Sequence, residues 1–458
     1  MADKHLEQLL GILKSSGADA WEVADINEWG WEFYFVRHRL DQHRTKTVDS
    51  FSVKVYKKLE DGQFLGSASA QIAPDASEEE MHRIVEGLCR DASYVRNPFY
   101  TLNKPSAEPA AEEPTPMDMN AVCGDFLKAM RSLPETETED INSYEIFVSE
   151  IRRRFLNSEG VDVTSVYPSS MVEAVVNARK DGHEIELYRM LKSGTCDPAQ
   201  LTKELSEALA YGRDKLAARP TPALEKADVV FSTDPARELY SWFVARLDTT
   251  MVYRGMSDWK IGETVGPENM TIRAVRTLPN SSWNTPYDDE GAPIRDLTLI
   301  DHGKTAAYWG RRQFSQYMKL DSSFDVYNFA VTGGTESEGD LRTGDYLEVV
   351  EFSDFQVDEI TGDIAGEIRL AYLHQGGKVT PVSGGSVSGS MQELAKTMRF
   401  SKESRQYNCH LIPSVTRLHD VTITGADCQQ YLLTGTPEKS IRKEGRPEAS
   451  LSFYPFRR

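Results

Sequence analysis

The sequence predicts an α+β protein. It has an N-terminal αβ domain over residues 1–222, with a candidate internal repeat, and a C-terminal β-rich domain over 223–458, barrel-like or built on a strongly curved sheet. Three observations predict this. Strand and helix patterns alternate through the first half, and two Asp-Gly turns occupy matching settings there. Beyond Arg219-Pro-Thr-Pro222, strand patterns divided by paired glycines take over. At 458 residues the chain is too long for one small core.

Leu6, Leu9, Leu10 and Leu13 share one face of an opening helix. Strand patterns follow around 31–35, 52–56 and 65–72. Asp61-Gly62 turns the chain between the last two, since glycine tolerates the positive φ of a tight hairpin. Ser77-Glu-Glu-Glu80 reads as a capping box, and Met81, Ile84, Val85, Leu88 and Ala92 continue as a helix face. A similar order returns: strand patterns around 144–155, 171–178 and 185–191, the turn Asp181-Gly182, and Asp197-Pro198 capping a helix with Leu201, Leu205, Leu209 and Leu216. This echo reads either as a duplication or as an ordinary αβ rhythm. Between the copies, residues 104–116 are rich in Pro, Ala and Glu, the composition of an exposed connector.

In the second half, Asp228-Val-Val-Phe231 reads as a short buried strand. Asp234-Pro235 is expected to cap a helix over 235–247, on which Leu239, Phe243 and Leu247 form an apolar stripe. A further short helix is expected near 391–398. Gly333-Gly334, Gly376-Gly377 and Gly384-Gly385 separate strands.

Composition excludes several function classes. The formal net charge of -19, from 71 acidic and 52 basic residues, repels nucleic-acid phosphates. The basic runs Arg152-Arg153-Arg154 and Arg37-His38-Arg39 read as solvated strand or turn positions. No run of about 18 apolar residues is present, so no membrane helix is expected. The opening residues lack the apolar core of a signal peptide, which implies a cytoplasmic protein. Five scattered cysteines without a CxxC pair argue against a zinc ribbon or a disulfide framework. His183-Glu184 has no second histidine to complete a zincin helix. The Gly384–Gly389 stretch fits neither a nucleophile elbow nor a phosphate loop.

One stretch is more specific. Tyr287-Asp288-Asp289-Glu290-Gly291 is followed by a strand pattern over 295–300 and by the turn His302-Gly303. Further along come Asn328 with Gly333-Gly334, Thr361-Gly362-Asp363, and Ser383-Gly384. In this order the sequence resembles the TldD/PmbA family, which holds metallopeptidase subunits and metal-free sister subunits. In the metal-bearing members, a helix after a short strand carries His-Glu-x-x-x-His: two imidazole ligands, and a carboxylate that activates water. The matching positions here are Tyr240, Ser241 and Ala245. An alanine methyl cannot ligate a metal, and serine is too weak a base to replace the carboxylate.

The family's further ligand is a cysteine near the end of the chain, matched here by Cys409 beside His410. Adjacent residues on a strand are expected to face opposite ways, so the pair reads as a poor chelate and Cys409 as a buried thiol. Asp288, Asp289 and Glu290 could hold a hard cation, but read more simply as a tight turn.

The resemblance therefore implies a PmbA/TldE-like subunit with no cofactor of its own, zinc being expected only in a TldD-type partner. It implies a heterodimer with such a partner or a homodimer, with residues 225–458 supplying most of the interface, and unfolded peptides as substrates. No nucleic-acid or membrane contact is expected, although an older name for the family is modulator of DNA gyrase. Two alternatives stand beside this: a stand-alone homodimeric binding or scaffold protein, and a peptidase or hydrolase that uses Asp288–Glu290 with Cys409.

Overall fold

The computed structural model describes residues 2–107, 117–321 and 324–426. The first half is a seven-stranded antiparallel sheet made of two meanders. Strands Ala20–Val36, Arg39–Leu59 and Phe64–Ile72 form one; Glu139–Asn157, Asp162–Lys180 and His183–Ser193 form the other. Their first strands pair with each other at the centre, and the short strand Asn97–Pro98 extends one edge. A helix precedes and another follows each meander: Ala2–Ser15 and Glu78–Ala92 for the first, Met119–Arg131 and Pro198–Leu216 for the second. The echo read from the sequence is thus two αβββα units joined side by side.

The local chemistry repeats as well. Both hairpins turn on left-handed Asp-Gly pairs, with Asp61 at φ 55° and Gly62 at 85°, and Asp181 at φ 52° and Gly182 at 80°. Both following helices are capped. The Ser77 hydroxyl accepts from Glu80 N at 3.2 Å, and the Asp197 carboxylate accepts from Ala199 N and Gln200 N, each at 3.0 Å. The expected capping box is only half made, because the Glu80 carboxylate turns to Arg83 instead. Each unit buries its own core beneath its helices: Leu9, Val53 and Val85 in one, Ile146, Val176 and Leu205 in the other.

Helix Met119–Arg131 has no counterpart in the sequence reading. Asp118 caps it, and Met119, Cys123, Phe126 and Met130 bury its inner face. That spacing was legible. The Arg152–Arg154 run also differs from the solvated reading. Arg152 bonds Asn27 at 3.0 Å, Arg154 grips Asp162 at 2.8 Å, and Arg153 reaches into the second half.

In the second half five strands close into a barrel. Tyr346–Val357 pairs with Leu224–Phe231, which pairs with Thr416–Thr424. The ring continues through Ser386–Ser390 and Asp363–Gln375 and returns to Tyr346–Val357. Closure removes the free edges that an open sheet would expose. Lys378–Ser383 and Arg219–Pro220 extend the sheet beyond the ring. A second sheet of six strands runs in the order Lys304–Thr305, Leu297–Asp301, Thr271–Val275, Asn328–Thr332, His410–Pro413, Ser404–Tyr407. Gly333 ends one of its strands at φ 103°, where a Cβ would stand 1.6 Å from the Asn269 carbonyl oxygen, so no larger residue fits without a shift.

Helix Ala236–Ala245 packs on strand Tyr346–Val357 of the barrel and on strand His410–Pro413 of the second sheet. Leu239, Phe243 and Leu247 are fully buried, as their spacing predicts. The helix does not start as expected. Asp234 makes no side-chain cap; its carboxylate pairs with the Arg237 guanidinium at 3.2 and 3.4 Å. Among the described residues no helix is long and apolar enough to cross a membrane.

Phe243 lies edge-on to Trp242, with ring centroids 5.0 Å apart, and next to Trp259 at 6.1 Å. Phe243→Ala is expected to cost about 3–5 kcal/mol, read as a lower urea midpoint at unchanged slope. A loss under about 1 kcal/mol would mean that this helix is not the core element described.

Candidate functional site

Tyr240, Ser241 and Ala245, the positions that the resemblance matches to the metal motif, lie on the helix Ala236–Ala245. Tyr240 is completely buried, and its hydroxyl shares a hydrogen bond of 2.7 Å with Thr416 on the barrel strand Thr416–Thr424. Burial pushes its phenol well above the usual range. Ala245 ends the helix with a bare methyl. At position 240 the helix therefore offers a packed ring and a satisfied hydroxyl.

The cavity of interest lies one turn earlier along that helix and holds about 470 Å³. One wall is the sheet-edge strand His183–Ser193, from Tyr188 to Lys192, with Glu204, Glu207 and Tyr211 of the neighbouring helix. Opposite stand Asp234 and Arg237, then Glu351 and Phe352 of the barrel, and the turn Tyr407–His410, with Trp283 at the rim. Cys409 lines it; Tyr240, Ser241 and Ala245 do not.

Charge pairs hold the two halves together across this cleft. Arg189 forks onto Glu351, one bond measuring 2.8 Å, and Arg405 reaches Glu204 and, at 2.9 Å, Glu207. These are the bidentate and bridging geometries in which arginine is strongest. The sequence reading named none of these residues. Arg189 and Glu351 are 162 positions apart, so no local pattern links them.

Cys409 and His410 do not face opposite ways as expected. Asn408 adopts a left-handed φ of 51° just before strand His410–Pro413, so strand alternation does not extend to Cys409. Its Sγ stands 3.5 Å from His410 Nε2. Burial raises the thiol above its ordinary value, against the pull of Arg237 and Lys192, and drives the imidazole down to about 3. Both groups are therefore neutral near pH 7. The His410 ring stacks on Phe329, with centroids 4.2 Å apart. Zinc needs three protein ligands at a catalytic site and four at a structural one. Among the described residues no group of three or more His, Cys, Asp and Glu could hold a metal ion. Cys409 and His410 by themselves supply fewer donors than such a site takes.

Asp288, Asp289 and Glu290 lie away from the cleft and form the joint between the halves. Asp288 is buried. Its Oδ1 accepts from Glu290 N at 2.9 Å and Ala292 N at 2.8 Å, and its Oδ2 accepts from Asp325 N at 3.1 Å. Gly291, at φ 72°, lets the turn lie against Phe155. From the first half, Arg153 donates to the carbonyls of Asp288 at 3.2 Å and Asp289 at 2.9 Å. Arg311 bridges Asp325 at 2.9 Å and Asp289 at 3.2 Å, and Glu290 accepts from Arg312 N at 2.8 Å. The tight turn predicted from sequence is present, and its oxygens are engaged with protein donors.

Burial, then the nearby carboxylates of Asp325 and Glu290, push Asp288 up to about 8, although two backbone N–H groups pull the other way. A carboxyl raised in the folded state binds its proton more tightly than in the unfolded chain. Its stabilisation is complete below the ordinary carboxylate range and is lost as pH rises through about 8. Asp288→Asn cannot lose a proton, and it turns an NH2 toward the Asp325 N–H. The variant should be less stable by about 1–3 kcal/mol at pH 5, and the gap in Tm to the unaltered chain should narrow toward pH 9. A gap that stays constant from pH 5 to 9 would refute the assignment.

Comparison with known proteins agrees with this architecture. Residues 224–425 match the PmbA/TldA metallopeptidase C-terminal domain. The chain is 24% identical over 221 residues to a metalloprotease PmbA homolog of Haemophilus influenzae, covering 46% of this chain and 47% of that protein. The matching stretches cover between 31% and 64% of the curated relatives' own lengths. In fold, the crystal structure of TldE from Thermococcus kodakarensis superposes with a TM-score of 0.74 at 16% identity, covering 92% of this chain and 100% of that one. A Thermotoga maritima protein named for modulation of DNA gyrase gives 0.73 at 15%, with the same coverage. Family domain, relatives and fold converge on one statement: residues 224–425 form a PmbA/TldD-type C-terminal domain, within a chain that has the TldE fold.

Proposed function

We propose that this chain is a metal-free subunit of the PmbA/TldE type. It would pair with a zinc-bearing, TldD-type subunit and help enclose a chamber that binds unfolded peptides, in the cytoplasm. One observation carries the reading. The helix that would present the metal ligands is intact as a packing element, yet its three key positions are a buried, hydrogen-bonded Tyr240, Ser241 and Ala245. The cleft beside Cys409 supports a binding role. It is lined by aromatic rings and charged side chains, and it borders His183–Ser193, the outermost strand of its sheet. An extended peptide can hydrogen-bond to such an edge with little regard to its sequence.

Two other readings remain. In the first, the chain works alone as a homodimeric binding or scaffold protein. In the second it is a hydrolase in its own right, and the contact that favours this is the Cys409–His410 pair at 3.5 Å. A raised thiol beside an imidazole that stays neutral is a weak nucleophile, which places this reading last.

Purified alone, the chain should carry far less than one zinc per molecule by elemental analysis and should leave unstructured peptides intact. Co-expressed with a TldD-type subunit, it should co-purify with it, and the complex should cleave those peptides in a chelator-sensitive way. Chelator-resistant cleavage by the chain alone, abolished in Cys409→Ala, would instead establish the independent hydrolase.

The chain is also expected not to be a monomer. Light scattering at micromolar concentration should give the mass of two chains, alone or with the TldD-type partner, with residues 225–458 supplying most of the buried surface. A specific dimer buries over about 1,000 Å² in total. A single-chain mass under both conditions rules out both assemblies.

A further inference from the structure

The helices cover one face of the N-terminal sheet, and the turn at Gly291 closes the lower end of the other face against Phe155 and Val161. Above that, four strands present a face over which, among the described residues, no helix packs as on the opposite one. Directly opposed residues share a face, so the register lays out its rows. One row runs Tyr34, Glu145, Glu173, Met190; the next runs Glu32, Phe147, Met171, Lys192. The surface is half apolar. At its outer strand Tyr188 and Met190 stay about half exposed, at 47% and 48%, and both also line the cleft beside Cys409.

The charges on this face are unbalanced in one place. Glu145 stands directly opposite Glu173, and like charges in opposed positions destabilise a sheet. Two of the cations nearby are shared with other partners. Lys46 pairs with Glu28 at 2.9 Å, and Arg44 bonds Gln42 at 2.8 Å and lies over the Tyr34 ring. Lys192 stands at the edge opposite Met171. Tyr188 lies within hydrogen-bonding reach of Glu173, and burial, then Glu173, raise the Glu145 carboxyl against the pull of Arg44. A cation set between the two carboxylates would relieve this repulsion, and apolar side chains flank the spot.

We propose that this face, continuous with the cleft, docks an extended peptide segment bearing a lysine or arginine, whose cationic head sits between Glu145 and Glu173 while its stem lies along Phe147 and Met190. The inference rests on the peptide-binding reading above and adds the substrate class. Arginine and lysine stems cover apolar surface well while their heads stay in polar surroundings.

The test uses the full chain and two fluorescently labelled unstructured peptides that differ only in a central Lys-Lys or Gln-Gln. By anisotropy at low salt, the lysine peptide should bind at least about ten-fold more tightly, and that advantage should shrink as salt is raised. In the double variant Glu145→Gln with Glu173→Gln, the preference should fall below about two-fold. If the double variant fails to fold, Glu145→Gln alone, which keeps the Tyr188–Glu173 contact, replaces it. Equal affinity for both peptides in the unaltered chain, or a preference that survives the substitution, overturns the inference and leaves peptide binding standing. Binding of neither peptide, alone or with a TldD-type subunit, overturns both.

Discussion

A carboxyl group taken out of water has to be neutralised or surrounded by donors, and Asp288 sets the geometry of this molecule under that constraint. Three backbone N–H groups converge on it, two from its own turn and one from Asp325. Their convergence fixes the turn, and the turn points two carbonyls at Arg153 of the N-terminal sheet. An unsatisfied buried carboxyl would cost several kcal/mol, on the order of a large share of a domain's net stability. The turn therefore cannot drift, and the sheet is held to the barrel-bearing half at one orientation. The cleft on the far side of that contact inherits its width from this joint and from the Arg189–Glu351 and Arg405–Glu207 pairs that cross it.

The same competition between burial and charge decides what the cleft can do. Around Cys409, desolvation outweighs the pull of Arg237 and Lys192, so the thiol keeps its proton. His410, pressed on Phe329, stays neutral for the same reason. Nucleophilic catalysis by cysteine wants the reverse, a thiolate stabilised by a nearby positive charge. Recognition does not. Paired arginines and carboxylates held in place across a cleft lose little entropy when a ligand arrives, and fixed aromatic rings offer contact area at low cost in rotamer freedom.

Local signals made much of the fold legible. The helix faces at Leu6–Leu13 and Met81–Ala92, both Asp-Gly turns and the Asp197 cap follow from interactions within a few residues, and each is found where the pattern put it. Helix Met119–Arg131 was equally local, but it follows directly on a Pro- and Glu-rich stretch whose composition drew the reading toward a connector. The other departures are tertiary. Asp234 gives up its cap because Arg237, one turn on, offers a charged partner. Cys409 turns to the side of His410 because Asn408 takes a left-handed φ, which no periodicity encodes. Barrel closure needs Tyr346–Val357 to find both Leu224–Phe231 and Asp363–Gln375, and only one of those is its neighbour in sequence. The cleft assembles residues from both halves, so its outline was beyond any local reading, although its thiol was singled out.

Helix Ala236–Ala245 shows how chemistry and packing separate. A histidine placed at 240 for a metal must keep one ring nitrogen free of protein donors and acceptors, which is costly in a fully buried position unless the metal is bound. Tyrosine resolves that cost. Its ring fills the space beside Leu239 and Phe243, and its single hydroxyl finds Thr416 on the strand that completes the barrel. Alanine at 245 ends the same helix with a methyl. Packed in this way, the helix is a wall of the core. A histidine introduced at 240 would have to displace this packed and satisfied side chain before any metal arrived to compensate. The cleft offers a ligand surface shape and fixed charge, and the joint at Asp288 holds together the two halves that line it.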